Sequence, residues 1–378
     1  MPLEELVKRW NGKPFEFLPK NVVYDGLMIL NALKNAGTLV EFSGLRRETD
    51  PPVPRIIEPV LSHVLEDIIS HGNEIDSVDT ATSTLGPVSR STLIASLVLI
   101  SGAQESLPEN QRIYSTLVLK ATPGGLQMCK MGIPEDIKAH SHARSMEGNA
   151  EQLDWESSVC PIGTVTHTHV DYHGAAQLMQ HIEGEKLWIF WPGTQKNLSW
   201  WSLKHTRIPS VDLTLACIDN MEGMEVLWCT RSNKPTFILP PFTFHAVMTF
   251  TTSAHAGIRI WSLEYFQKAR EGMEWELQLA LNHASHGIVR QQVLEYVYEL
   301  STELEEWKIV EEQFHEEPGA KLVNIGYEYI KSLLSKTFEA VETEEEKAYR
   351  LEEEKNTKRK QRGKGKGKGK GKGKGKGK

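Results

Sequence analysis

The sequence predicts a mainly β fold, a double-stranded β-helix (jelly roll) over 91–266. It adds a mixed α/β decoration over 1–90, a helical region over 267–350 and a basic tail over 351–378. Three observations predict this. Short β-rich runs recur between 91 and 266, punctuated by turn residues such as Pro123-Gly124-Gly125, Pro192-Gly193 and Pro240-Pro241. Many short strands with such punctuation indicate a sandwich or barrel, and the double-sheet jelly roll is one such fold. After about residue 267 the apolar spacing becomes helical. Finally, the chain ends in an alternating Gly-Lys repeat, which can hold neither element.

In chain order, Leu3–Trp10 predicts a short helix and Val22–Leu33 mixes apolar and polar residues at helical spacing. Ile56–Ile69 reads more firmly as an amphipathic helix: Ile57, Val60, Leu61, Val64, Leu65, Ile68 and Ile69 recur at three and four. Strands are expected at Ser91–Ile100, Ile113–Ala121, Gly163–Val170, Lys186–Trp191, Glu225–Cys229, Thr236–Leu239, Ala246–Thr251 and Gly257–Leu263. Helices are expected at Glu271–Ala284, Ile288–Glu312 and Leu322–Thr337, with Pro318 breaking the last two. These should pack as a bundle on the β domain or on a second copy of the chain, as a homodimer.

Composition excludes several classes. The four cysteines (Cys129, Cys160, Cys217, Cys229) have no CxxC spacing, so neither a zinc ribbon nor a disulfide framework is expected. The start, Met-Pro-Leu-Glu-Glu-Leu, lacks the basic and apolar pattern of a signal peptide. No apolar run approaches ~18 residues, so no membrane span is expected. Residues 355–378 carry thirteen positive charges and no acid, so the formal net charge of −7 leaves −20 on residues 1–354. A basic tail of that kind should be disordered and suits contact with nucleic acid or chromatin, and Lys358–Arg362 suits nuclear localisation, with the cytoplasm as the alternative.

The chemistry gathers around Thr166-His167-Thr168-His169-Val170-Asp171. On a strand, residues i and i+2 share a face, so His169 and Asp171 aim an imidazole and a carboxylate at one point. Each can bind a small divalent metal at about 2.0–2.2 Å. His245, placed just before another β run, is the candidate third ligand. Two histidines and one carboxylate suit iron(II) and leave positions open for a 2-oxoacid and O2. Lys186, at the start of the next strand, could pair with the far carboxylate of that acid, and Thr166 could add a hydroxyl. His167, His173 and His181 crowd the segment, but three protein ligands already suffice. Trp188, Trp191, Trp200 and Trp201 are either core or an aromatic cage for a methylated cation.

His169-Val170-Asp171, then Glu183-Gly184-Glu185-Lys186-Leu187-Trp188, then Pro241–Val247, resemble the JmjC-domain 2-oxoglutarate dioxygenases over about 160–265. The resemblance implies that His169, Asp171 and His245 bind Fe(II) and that Thr166 and Lys186 bind 2-oxoglutarate. It implies hydroxylation of a protein substrate, above all a histone-lysine-demethylase-like activity on a histone tail, with O2 consumed and succinate and CO2 released. Hydroxylation of an N-methyl-lysine would demethylate it. The alternatives are stable side-chain hydroxylation and a catalytically idle chromatin-binding scaffold. The chain departs from the pattern twice. Arg259 or Ile260 stands where many relatives carry Asn, and strict alternation puts Thr166 opposite His169 unless a bulge intervenes.

Overall fold

The computed structural model describes most of residues 2–41, short strand segments between 74 and 145, nearly all of 156–285, parts of 297–316 and most of 320–352. The expected helix Ile56–Ile69, the strand Ser91–Ile100, most of Ile288–Glu312 and the basic tail lie outside the described residues.

The chain opens with α1 (Leu3–Trp10), as expected, and α2 (Lys20–Asn35). Acidic Glu4 and Glu5 in the first turn of α1, with Lys8 and Arg9 in its last, complement the helix dipole. Leu6 and Trp10, four residues apart, form its buried stripe. The strands follow as β1 (Val40–Glu41), β2 (Glu74–Asp79), β3 (Thr84–Ser89), β4 (Tyr114–Thr116), β5 (Leu119–Lys120), β6 (Arg144–Ser145), β7 (Glu156–Cys160), β8 (Val165–Val170) and β9 (Ala176–Trp191). Two helices interrupt them, α3 (Gln195–Ser202) and α4 (Val211–Asn220). Then come β10 (Glu225–Cys229), β11 (Thr236–Leu239), β12 (Phe244–Trp261), α5 (Phe266–Ser285) and α6 (Ala320–Val341). No described helix is long and apolar enough to cross a membrane.

The sheet corrects the jelly-roll expectation. A jelly roll stacks two sheets face to face. Here nine strands join in one hydrogen-bonded sheet, ordered β1-β10-β9-β12-β7-β5, with β11 on β9 and β6 and β8 on β12. All pairs are antiparallel except β1 with β10. A separate sheet of β3-β2-β4 completes the described strands. The physical reason is strand length. The runs Ala246–Thr251 and Gly257–Leu263, read as two strands, are parts of the eighteen-residue β12. Likewise Lys186–Trp191 is the second part of the sixteen-residue β9. Register shifts between Thr249 and His255 let the β9–β12 ladder continue where the sequence pattern breaks.

Alternation along these strands divides the residues into two cores. Leu187, Ile189 and Trp191 of β9 and Phe244, Ala246, Met248 and Phe250 of β12 cluster with the helical residues Leu6, Trp10, Leu30, Leu198, Trp201, Leu213 and Cys217. Their neighbours Trp188, Phe190 and Val247 face the other way and cluster with Met179, Leu227, Cys229, Phe237 and Leu239. The helices therefore cover one face, while the other carries His245 and Lys186. Beyond the sheet, α6 buries Tyr327, Ile330, Leu334 and Phe338. Gly326 lies so close to the Phe266 ring that a Cβ there would collide with it.

Gly184 sits inside β9 at a register shift against β12. Its φ is +83°, and an added Cβ would lie 2.5 Å from the backbone oxygen of Thr252. The His181 imidazole spans this irregularity, its Nε2 2.9 Å from the Gly184 carbonyl oxygen. Gly184→Ala should destabilise the chain by more than about 1 kcal/mol, because it meets both the left-handed penalty and a backbone clash. An unchanged chemical-denaturation midpoint would contradict this reading.

Candidate metal centre

β8 and β12 place two histidines directly opposite each other, His169 across from His245. Their ring centroids are 4.2 Å apart. Each imidazole is oriented the same way. The Nδ1–H of His169 donates to the His167 carbonyl at 3.0 Å, and that of His245 to the Thr243 carbonyl at 3.1 Å. This fixes the tautomer and leaves each Nε2 lone pair free. Asp171 follows the end of β8. Its Oδ1 lies 3.9 Å from His169 Nε2, and its Oδ2 3.7 Å from His245 Nε2.

The three groups fit one ion. Two atoms each bonded at about 2.1 Å to a common ion are separated by about 3.0–4.2 Å, from a right angle to a straight line. Both carboxylate–imidazole separations fall in that window, and all three donor atoms lie within 4.8 Å of one another. His169, Asp171 and His245 could therefore hold a metal ion, and the donor set resembles a 2-His-1-carboxylate site. His245 is buried, while His169 and Asp171 remain partly accessible.

The charge state matches a ligand set. Burial pushes the His245 imidazole down to about 4, helped by His169 and opposed by Asp171 and the Thr243 hydrogen bond. It is neutral at pH 7. Burial works against ionised Asp171, but His245, His169, Arg259 and the Gln177 hydrogen bond outweigh it, and the carboxyl stays below its usual range. Gln177 Nε2 donates to Asp171 Oδ2 at 2.7 Å. The ladder pairs Gln177 with Arg259 across the strands, and the Arg259 charge also lowers the Asp171 carboxyl.

The bulge that the spacing of Thr166 required is present. His245 and Val247 oppose His169 and Thr166, so three steps on β8 match two on β12. Thr166 and His169 are then the two partly accessible positions of a strand whose other residues are buried. A bulge removes an amide from the ladder, and the buried Thr168 N–H finds its acceptor in Thr214 Oγ1 of α4 at 3.0 Å. The Thr214 hydroxyl in turn donates to the Ser210 carbonyl at 3.1 Å. Ser210 is the N-cap of α4, its side chain accepting from Leu213 N–H.

The turn before His245 is also pinned from outside the sheet. Thr243 donates its N–H and its hydroxyl to the Pro240 carbonyl, at 3.2 and 2.8 Å. Phe242 sits inside this turn at φ +58°, a conformation that favours glycine. Its buried ring packs edge-on to Trp275 and over Gly272 of α5, which holds the strained residue in place.

Lys186 shares the face of His245, being paired with Thr249 of β12 and Cys229 of β10. It is fully buried. Nζ lies 2.7 Å from His255 Nδ1 and 3.2 Å from Cys160 Sγ, and no described carboxylate pairs with it. Sequence reasoning missed His255. The register shifts between Thr251 and His255 break the parity that would have assigned it a face. It also missed Gln177 and Thr214, whose roles depend on cross-strand and helix contacts.

Other expectations resolve differently. Trp188 stays beside the site, its ring centroid 5.8 Å from that of His245. Trp191 and Trp201 belong to the helix-covered core and Trp200 packs against it, so these four do not form a cage. His167 is buried and pushed down to about 4, first by burial and then by His169. Neither it nor His181 joins the donor group, and His173 lies outside the described residues. A scan against protein-family models and a search of curated proteins returned no match for the chain.

Thr214→Val keeps the shape but removes the acceptor for Thr168 N–H. It should cost about 1–3 kcal/mol, the penalty of an unsatisfied buried amide. Denaturant unfolding measures this, and a shift near zero would contradict the role given to Thr214.

Proposed function

We propose that the chain is an Fe(II)- and 2-oxoglutarate-dependent dioxygenase that hydroxylates a protein substrate. The observation that carries this reading is the pairing of a 2-His-1-carboxylate group with a fully buried ammonium that lacks a carboxylate on the same face. The first suits iron(II), and the second calls for an anion. A 2-oxoacid with a second carboxylate answers both demands.

Residue roles follow from position. His169, Asp171 and His245 would hold the ion. Gln177 restrains Asp171 through Oδ2, and the two backbone carbonyls keep both imidazoles turned toward the ion. Lys186 would take the distal carboxylate of 2-oxoglutarate, and Thr166, brought round by the bulge, would add a hydroxyl donor. When bound, iron(II) with 2-oxoglutarate and O2 couples decarboxylation to succinate and CO2 with insertion of one oxygen atom into a C–H bond. The protein contributes orientation and charge compensation. On an N-methyl-lysine the product would break down and release formaldehyde, whereas an ordinary side chain would keep its hydroxyl.

The test is succinate formation by the purified chain with Fe(II), ascorbate, 2-oxoglutarate and air, run with and without candidate peptides. Turnover should disappear in His169→Ala. In Lys186→Ala the 2-oxoglutarate requirement should rise at least about tenfold, the size expected for losing one partner of a buried charge pair. Retained turnover in His169→Ala would refute the assignment. Formaldehyde release in the same assay separates demethylation from stable hydroxylation.

A further inference from the structure

Lys186 is held by more than its own strand. An ammonium has three N–H donors. One points to His255 Nδ1 at 2.7 Å and one to Cys160 Sγ at 3.2 Å. The third has no acceptor among the described residues. A flexible four-carbon side chain is thereby reduced to one position, with one donor to spare. Of the two anchors the imidazole is the stronger, since a thiol sulfur is a weak acceptor.

His255 is suited to this task in three ways. Accepting from Lys186 through Nδ1 places its own proton on Nε2. Burial, followed by the charges of Lys186, His181 and His245, lowers its pKa well below the usual histidine range, so it adds no second positive charge beside the ammonium. Its ring stands edge-on to Trp188, 5.3 Å between centroids, and Trp188 in turn flanks His245. The imidazole thus connects the Lys186 end of the face to the metal end through one buried aromatic ring.

From this geometry we propose that His255 is a positioning residue for Lys186, and that the pair sets a preference for a 2-oxoacid carrying a second, distal carboxylate. The inference rests on the 2-oxoglutarate reading above and adds a residue outside the set that the sequence pattern supplied. Without His255 the Lys186 side chain loses its fixed direction. Affinity for the distal carboxylate then falls, while chelation of the 2-oxoacid end by the ion does not. The signature is a change in discrimination between acids.

The test is anaerobic calorimetry on the Mn(II)-loaded full chain, with 2-oxoglutarate and with 2-oxobutyrate, which lacks the distal carboxylate. Wild type should prefer 2-oxoglutarate by more than about tenfold, the scale of one charge-assisted hydrogen bond. Lys186→Met and His255→Leu should each reduce that ratio by about fivefold or more and leave Mn(II) binding intact. His255→Gln, whose amide oxygen can accept from Lys186, should restore most of it. His255→Glu supplies an internal counter-ion, so it should weaken 2-oxoglutarate and spare 2-oxobutyrate; this arm decides the matter should the Leu variant not fold. A wild-type ratio in His255→Leu, or equal loss in the Leu and Gln variants, overturns the role of His255. If wild type binds neither acid, the 2-oxoglutarate reading itself fails and this inference falls with it.

Discussion

An ammonium group shut away from water has to be compensated from within the protein. Lys186 is fully buried between strands, and what it meets is an imidazole and a thiol, not a carboxylate. Leaving a buried charge without an opposite partner costs several kcal/mol. The fold accepts that cost on the face that also gathers His169, Asp171 and His245, four residues from three different strand segments. An anion bound beside Lys186, as proposed above, would offset that cost. The proposed role would account for a lysine on an apolar face lined by Trp188, Phe190, Phe237 and Val247.

The opposite face explains how the site keeps its shape. Large apolar residues at alternate positions of β9 and β12 fasten the sheet to α1, α2, α3 and α4. Two of the supporting elements act on the site through specific contacts. Thr214 of α4 stabilises the β8 bulge, which turns Thr166 toward the side of His169. Phe242, gripped by α5, fixes the turn that delivers His245. In both cases a helix outside the sheet satisfies or restrains backbone that the ladder itself leaves irregular. Arg9 of α1 extends the pattern: it pairs with Glu185, the neighbour of Gly184, and lies over Trp228 and Phe250.

Much of the donor group was legible because its signals are local. An HxD pair on a strand end, a lysine opening an apolar strand and a histidine after Pro240-Pro241 can be read from residue type and parity. The short strands Glu225–Cys229 and Thr236–Leu239 and the helix Leu3–Trp10 have the bounds that the pattern gave. What failed was the sheet topology. Parity breaks at Thr249–His255 look like strand ends in sequence, yet hydrogen bonding carries β12 through them. The same shifts concealed His255. Thr214 was illegible for a different reason: its partner, Thr168, is forty-six residues away and needs an acceptor only because of the bulge.

The most direct test of the account is the equilibrium affinity of the purified chain for Fe(II) without oxygen, measured with and without 2-oxoglutarate. The account predicts a single ion per chain, bound more tightly in the presence of 2-oxoglutarate. Asp171→Ala should lose the ion, and Lys186→Met should keep the ion but need more 2-oxoglutarate for the same tightening. An ion affinity unchanged by substitution of His169, Asp171 and His245, and indifferent to 2-oxoglutarate, would contradict it.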